Sequence, residues 1–222
     1  MLRSTGGVVQ FDLGKATDTG FVRTGSLNQP PAILLAALSN IQAEYMLEPE
    51  KFPQYIHDAA AKFPKARKQF TYVGTEQDRL FEADYSHIGG SKTCADCDTS
   101  RIVTREARET TMPSVHYGTI ASGNQVIKNA ATRDRLGQEH GALCFEMEAA
   151  GLMNGFPCIV IRGICDYSDS HKNDQWQAYA AVAAAAYTKD LLSFISPAAV
   201  EVEEKAARLL GNSQSLKFLK YS

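Results

Sequence analysis

Apolar residues follow two alternating rhythms along this chain. Behind Pro30-Pro31, the residues Ile33, Leu34, Ala37, Leu38 and Ile41 fall at helical spacing and predict a first helix. GGVVQFDLG, VHYGTIASG, CFEME and CIVIRGICD mix β-branched, aromatic and small residues and predict strands, the first starting almost at Met1. Each later strand is followed by a helical pattern. Asn124 is expected to cap a helix through QVIKNAATRDRL, and AAGLMNG continues from CFEME. Asp174 and Gln177 have the spacing of a capping box ahead of a helix whose face is Ala180, Ala184, Tyr187, Leu191 and Phe194. Ser196-Pro197 stops that helix. Strand-then-helix alternation predicts an α/β domain with a largely parallel sheet. Residues 48–70 carry a shorter helical pattern, and 82–113 form a polar, turn-rich surface excursion. The domain is expected over residues 1–196, with a helical tail or linker over 197–222, where AAVEVEEKAARLL is amphipathic.

Composition narrows the classes. The chain has 222 residues, 44% of them hydrophobic, which is ample for one core. Its 23 basic and 25 acidic residues nearly cancel, so no overall field recruits nucleic acid or an anionic membrane surface. The run AYAAVAAAAY is well short of the roughly 18 apolar residues of a membrane span, and MLRSTGGVVQ lacks a signal-peptide core. Five scattered cysteines and no N-glycosylation sequon fit a reducing, cytoplasmic setting. CADC at 94–97 offers half the spacing of a zinc site. No second pair at matching spacing appears and His87 stands by itself, so reduced thiols and no metal are expected.

The chemistry concentrates in LCFEMEAAGLMNGFPCIVIRGICDYSDS. Alternation along a strand puts Glu146 and Glu148 on one face, with Phe145 and Met147 on the other. If Glu148 closes its strand and Asp166 the next, both carboxylates stand at the carboxyl edge of the sheet, where open α/β sheets bind ligands. Met147 and Val126 would supply apolar wall. The ordinary alternative is an ion-paired surface acid, with Arg162 a ready partner for either carboxylate.

FEMEAAGLM and IVIRGICDYSDS, preceded by YGTIASGNQVIK, resemble the nucleoside phosphorylase and nucleosidase superfamily. The closest likeness is to its fungal members linked to NACHT or NB-ARC signalling modules, and it runs from about Gly6 to Ile195. The resemblance implies a phosphorylase/hydrolase-like three-layer α/β fold. It also implies that the chain is N-terminally incomplete, lacking strands that carry the nucleophile side of the family's site. On it, Glu148 is the ribose-binding glutamate, Met147 packs on the sugar, and Asp166 is the acid beside purine N7. Val126 and Ile127 line the base, Val126 standing where many members have an aromatic, and Glu146 is a weaker candidate contact.

The implied reaction is cleavage of the N-glycosidic bond of a purine nucleoside, by hydrolysis or phosphorolysis. Phosphate would be the co-substrate if the reaction is phosphorolysis, no cofactor is expected, and a homo-oligomer is compatible. The alternative is a non-catalytic nucleoside-sensing or assembly module. Protonating N7 stabilises the departing base, and a carboxyl near pKa 3.9 is protonated only about one part in a thousand at pH 7. Burial raising the Asp166 pKa is therefore the condition set for that role.

Overall fold

The computed structural model describes residues 7–89 and 93–202. Three short strands, β1 (Val8–Gln10), β4 (Thr119–Ser122) and β5 (Ala142–Glu146), form a parallel sheet in the order β1-β4-β5. A separate antiparallel hairpin, β2 (Gly14–Thr17) with β3 (Gly20–Arg23), follows β1 with its side chains mostly exposed. The helices are α1 (Ala32–Tyr45), α2 (Phe52–Lys62), α3 (Ala130–His140), α4 (Ala149–Met153) and α5 (Gln177–Leu192). None of the described helices is long and apolar enough to cross a membrane.

The pleat of the sheet makes the layers. Val9, Ala121 and Phe145 face one side and pack with Phe11, Ile127 and Leu136 of α3. Val8 and Ile120, one residue before Val9 and Ala121, face the other side and pack with Leu27 and with Ala149 and Met153 of α4. A third cluster joins α1, α2 and α5 through Ile41, Phe52, Tyr187 and Leu191. Helices therefore cover both faces of a parallel sheet, as the alternation of elements requires.

Several boundaries differ from the sequence reading. α3 starts at Ala130, capped by Asn129, whose side chain accepts from the Thr132 amide at 2.8 Å. Asn124 caps nothing, because burying Ile127 in the sheet-facing core draws residues 124–129 across the sheet end first. Asp174 and Gln177 do meet, side chain to side chain at 2.9 Å, but Trp176 is the N-cap of α5 and no capping box forms. The strand expected in CIVIRGICD joins no ladder among the described residues, although its side chains keep the alternation of a strand. Ile159 and Ile161 pack toward the helical cluster and Cys158 and Val160 toward the sheet cluster. A Cβ at Gly163 would collide with the Ala180 carbonyl of α5, so this segment is seated hard against that helix. The tail is helical at 197–202, and the rest of that expected helix lies outside the described residues.

Candidate active site

Between β5 and the 159–166 segment opens a cavity of about 1500 Å³, to which both contribute wall. That exceeds the ordinary range of roughly 300–1,000 Å³ for a small-molecule pocket. Asp166, Arg162, Arg105 and Arg133 stand in the wall beside Tyr167 and Asp78.

Asp166 is held by a tight turn. Its Oδ1 accepts from the Ser168 amide at 2.9 Å, and Ser168 itself takes φ 52, the left-handed region that a non-glycine residue enters at a cost. Lys172 Nζ lies 3.1 Å from Oδ2, and the Cys165 thiol donates to the same oxygen at 3.4 Å. Burial pushes the Asp166 pKa up, but the Ser168 amide and the Lys172 ammonium together outweigh it, leaving the carboxyl below its ordinary value. The condition that burial should raise this pKa is thus not met.

Lys172→Met should consequently cost about 1.5–3 kcal/mol at neutral pH, the worth of a hydrogen bond to a charged group. The sign follows from the depressed pKa. Stability from Asp166 is fully present above its unfolded value of about 3.9 and is lost as pH falls through the lower folded value. Denaturant titrations of parent and variant should differ at pH 7 and converge in acid, below the lowered folded pKa of Asp166. An equal difference at both pH values would refute the pairing.

The two glutamates part company. β5 ends at Glu146, not at Glu148, and the chain turns into α4 there. Glu146 is buried, and its Oε2 accepts from the amides of Glu148 at 2.9 Å and Ala149 at 2.8 Å. Ser122 Oγ takes the next amide, that of Ala150, at 2.9 Å, so two strand-end side chains satisfy the opening amides of α4. The other oxygen of Glu146 is buried without a partner among the described residues. Glu148, in contrast, has a side chain 70% exposed, with Arg162 Nη1 at 3.7 Å from its Oε2. Arg162 belongs to the cavity wall, and through it Glu148 is joined to the Asp166 side of the molecule. Met147 and Val126 are exposed, while the Ile127 side chain is buried in the core. None of Glu146, Met147, Glu148, Val126 and Ile127 lines the cavity itself.

Sequence reasoning missed a polar network on the same wall. Tyr167 Oη donates to Asp78 Oδ1 at 2.5 Å, and Arg105 spans both, reaching Tyr167 Oη at 2.5 Å and Asp78 at 3.1 Å. Burial and the Asp78 carboxylate push the Tyr167 phenol up to about 12, so it remains a donor. Arg133 donates to the Tyr167 carbonyl at 2.9 Å and lies 3.6 Å from Asp169. Asp78 and Tyr167 are 89 residues apart, a separation that no local pattern reveals.

Residues 56–196 match the family model described as "Phosphorylase superfamily". The chain belongs to this superfamily. It is 44% identical over 214 residues to a "Nucleotide-binding leucine-rich repeat (NLR)-like protein" of Hyaloscypha variabilis, covering 96% of this chain and 21% of that protein. Over 84 residues it is 40% identical to "ATP nucleosidase Cap17" of Escherichia coli strain KTE188, covering 35% of this chain and 17% of that one. The chain therefore spans about a fifth of the length of these curated relatives. No solved structure matches it.

Proposed function

We propose that the chain cleaves the N-glycosidic bond of a purine nucleoside or nucleotide. The observation that carries this reading is Asp166, its side chain only 9% exposed, facing the large cavity while ion-paired to Lys172. As the bond between C1′ and N9 breaks, its electron pair passes to the purine. A proton carried by the Asp166–Lys172 pair moves to N7, and water or phosphate bonds to C1′. Glu148, steadied by Arg162, accepts hydrogen bonds from the 2′ and 3′ hydroxyls and balances positive charge on the sugar. Met147, exposed beside Glu148, would pack on the pentose, and the backbone near Val126 and Ile127 would meet the base, all of them outside the cavity wall proper. A nucleotide is included because Arg105 and Arg133 supply cationic wall close to Asp166, and because one similar protein is named an ATP nucleosidase.

The test is chromatography of products from adenosine, inosine, methylthioadenosine and ATP, with and without phosphate. Free base with free sugar is the signature of hydrolysis, and free base with a sugar 1-phosphate that of phosphorolysis. A second reading, a sensor that binds without turnover, draws on the likeness to an NLR-like protein and on the ionised state of Asp166. Measurable affinity with no base release from any of the four compounds would decide for it.

A further inference from the structure

In the sequence alone, Cys94 and Cys97 read as reduced loop thiols and His87 as a lone histidine. Folding brings the three together, with one donor atom from each lying within 4.8 Å of the others. Bonds of about 2.0–2.3 Å from a tetrahedral zinc place neighbouring donors roughly 3.3–3.8 Å apart, so only small rotations separate this cluster from a coordination sphere. His87 Nε2 lies 3.1 Å from the Thr93 carbonyl, and donation there leaves Nδ1 with the lone pair.

A second, independent observation concerns His171. Its side chain is 4% exposed, yet neither ring nitrogen has a hydrogen-bond partner among the described residues. A buried polar group left so is costly and calls for an explanation. The His171 ring stands 5.6 Å, centroid to centroid, from that of His87. Two imidazoles sharing one tetrahedral ion stand about 5 Å apart. Asp169 Oδ1 lies 3.7 Å from His171 Nδ1, outside hydrogen-bond range but near enough to orient the ring once it binds an ion, and Nε2 is the nitrogen then left to ligate. Phe81, stacked at 4.0 Å between centroids, and Tyr85 close the apolar side.

We infer that His87, Cys94, Cys97 and His171 form a structural zinc site. Two thiolates and two imidazoles are the donor set that favours zinc in tetrahedral geometry. The ion would tie His87 and the Cys94–Cys97 turn to the turn that carries Asp166, a junction already marked by the His87 amide donating to Ser170 Oγ at 2.9 Å. His171 itself lines the cavity, so the ion would fix that turn at the cavity wall.

Elemental analysis of the purified chain should find one zinc per molecule. Replacement by Co²⁺ should give intense visible absorption of tetrahedral type together with a thiolate-to-metal charge-transfer band. Cys94→Ser and Cys97→Ser should each diminish that band. His171→Ala should weaken zinc affinity by more than the roughly 10–100-fold that loss of an outer partner costs. A native chain that is metal-free and gives no charge-transfer band with Co²⁺ would overturn the site, as would recovery of Cys94 and Cys97 as a disulfide. Unchanged zinc affinity in His171→Ala would overturn the four-ligand assignment. The measurements on the native chain hold even if a variant fails to fold.

Discussion

Asp166→Asn should lower the turnover of a purine nucleoside by about 10²–10⁴-fold, the usual contribution of one positioned acid, with little change in affinity. An asparagine fills the same turn and keeps an oxygen to accept from the Ser168 amide, so the cavity wall retains its shape. What it lacks is a carboxylate that can pass a proton from Lys172 to N7. Steady-state kinetics separate the two effects, since loss of an interaction made only in the transition state lowers kcat and kcat/KM together. A fall in affinity with kcat intact would move Asp166 from the chemistry to binding alone.

Glu148→Ala should act in the opposite way. Two charge-assisted hydrogen bonds to the diol, each worth about 1.5–3 kcal/mol, make the expected loss of affinity about a hundredfold or more. The fold should not suffer, because the carboxylate is largely exposed and a surface pair such as Glu148–Arg162 contributes only about 0–1 kcal/mol. Calorimetry should therefore show nucleoside binding lost while the melting temperature stays put. Equal binding by variant and parent would remove Glu148 from the site. Loss of both binding and stability would assign it a structural role like that of Glu146.

The contrast between these two glutamates shows what a sequence can and cannot disclose. Period-two alternation sets Glu146 and Glu148 on one face, a correct inference for a strand running through both. The strand stops at Glu146, and the turn into α4 buries the first carboxylate while releasing the second. Where a strand stops depends on its neighbours. β5 pairs with β4 only through Glu146 opposite Ser122, and Ser122 also supplies one of the groups that cap α4. Helices α1 and α5 are legible because their apolar faces meet a single large cluster and their periodicity is long. The β2–β3 hairpin is not, since its side chains lie mostly in solvent and leave no alternation to read. Its only signal is the Asp18-Thr19 pair between Thr17 and Gly20.

Electrostatics at Asp166 are equally hidden. Burial can be anticipated from the apolar run before it, but the opposing effects of Ser168 and Lys172 come from a turn whose backbone only the structure specifies. The metal cluster has the same character, with His87 seven residues before Cys94 and His171 seventy-seven after it. Family motifs nonetheless lead to Asp166, which shares one wall with Arg162, and to Glu148, which Arg162 holds.

Convergence of Glu148 and Asp166 on one ligand is the claim on which the functional account stands. A crystal structure of Asp166→Asn soaked with adenosine tests it most directly. The account predicts the 2′ and 3′ hydroxyls within hydrogen-bond distance of the Glu148 carboxylate and N7 directed at residue 166. A nucleoside seated with its ribose away from Glu148, or with N7 turned from residue 166, would contradict it.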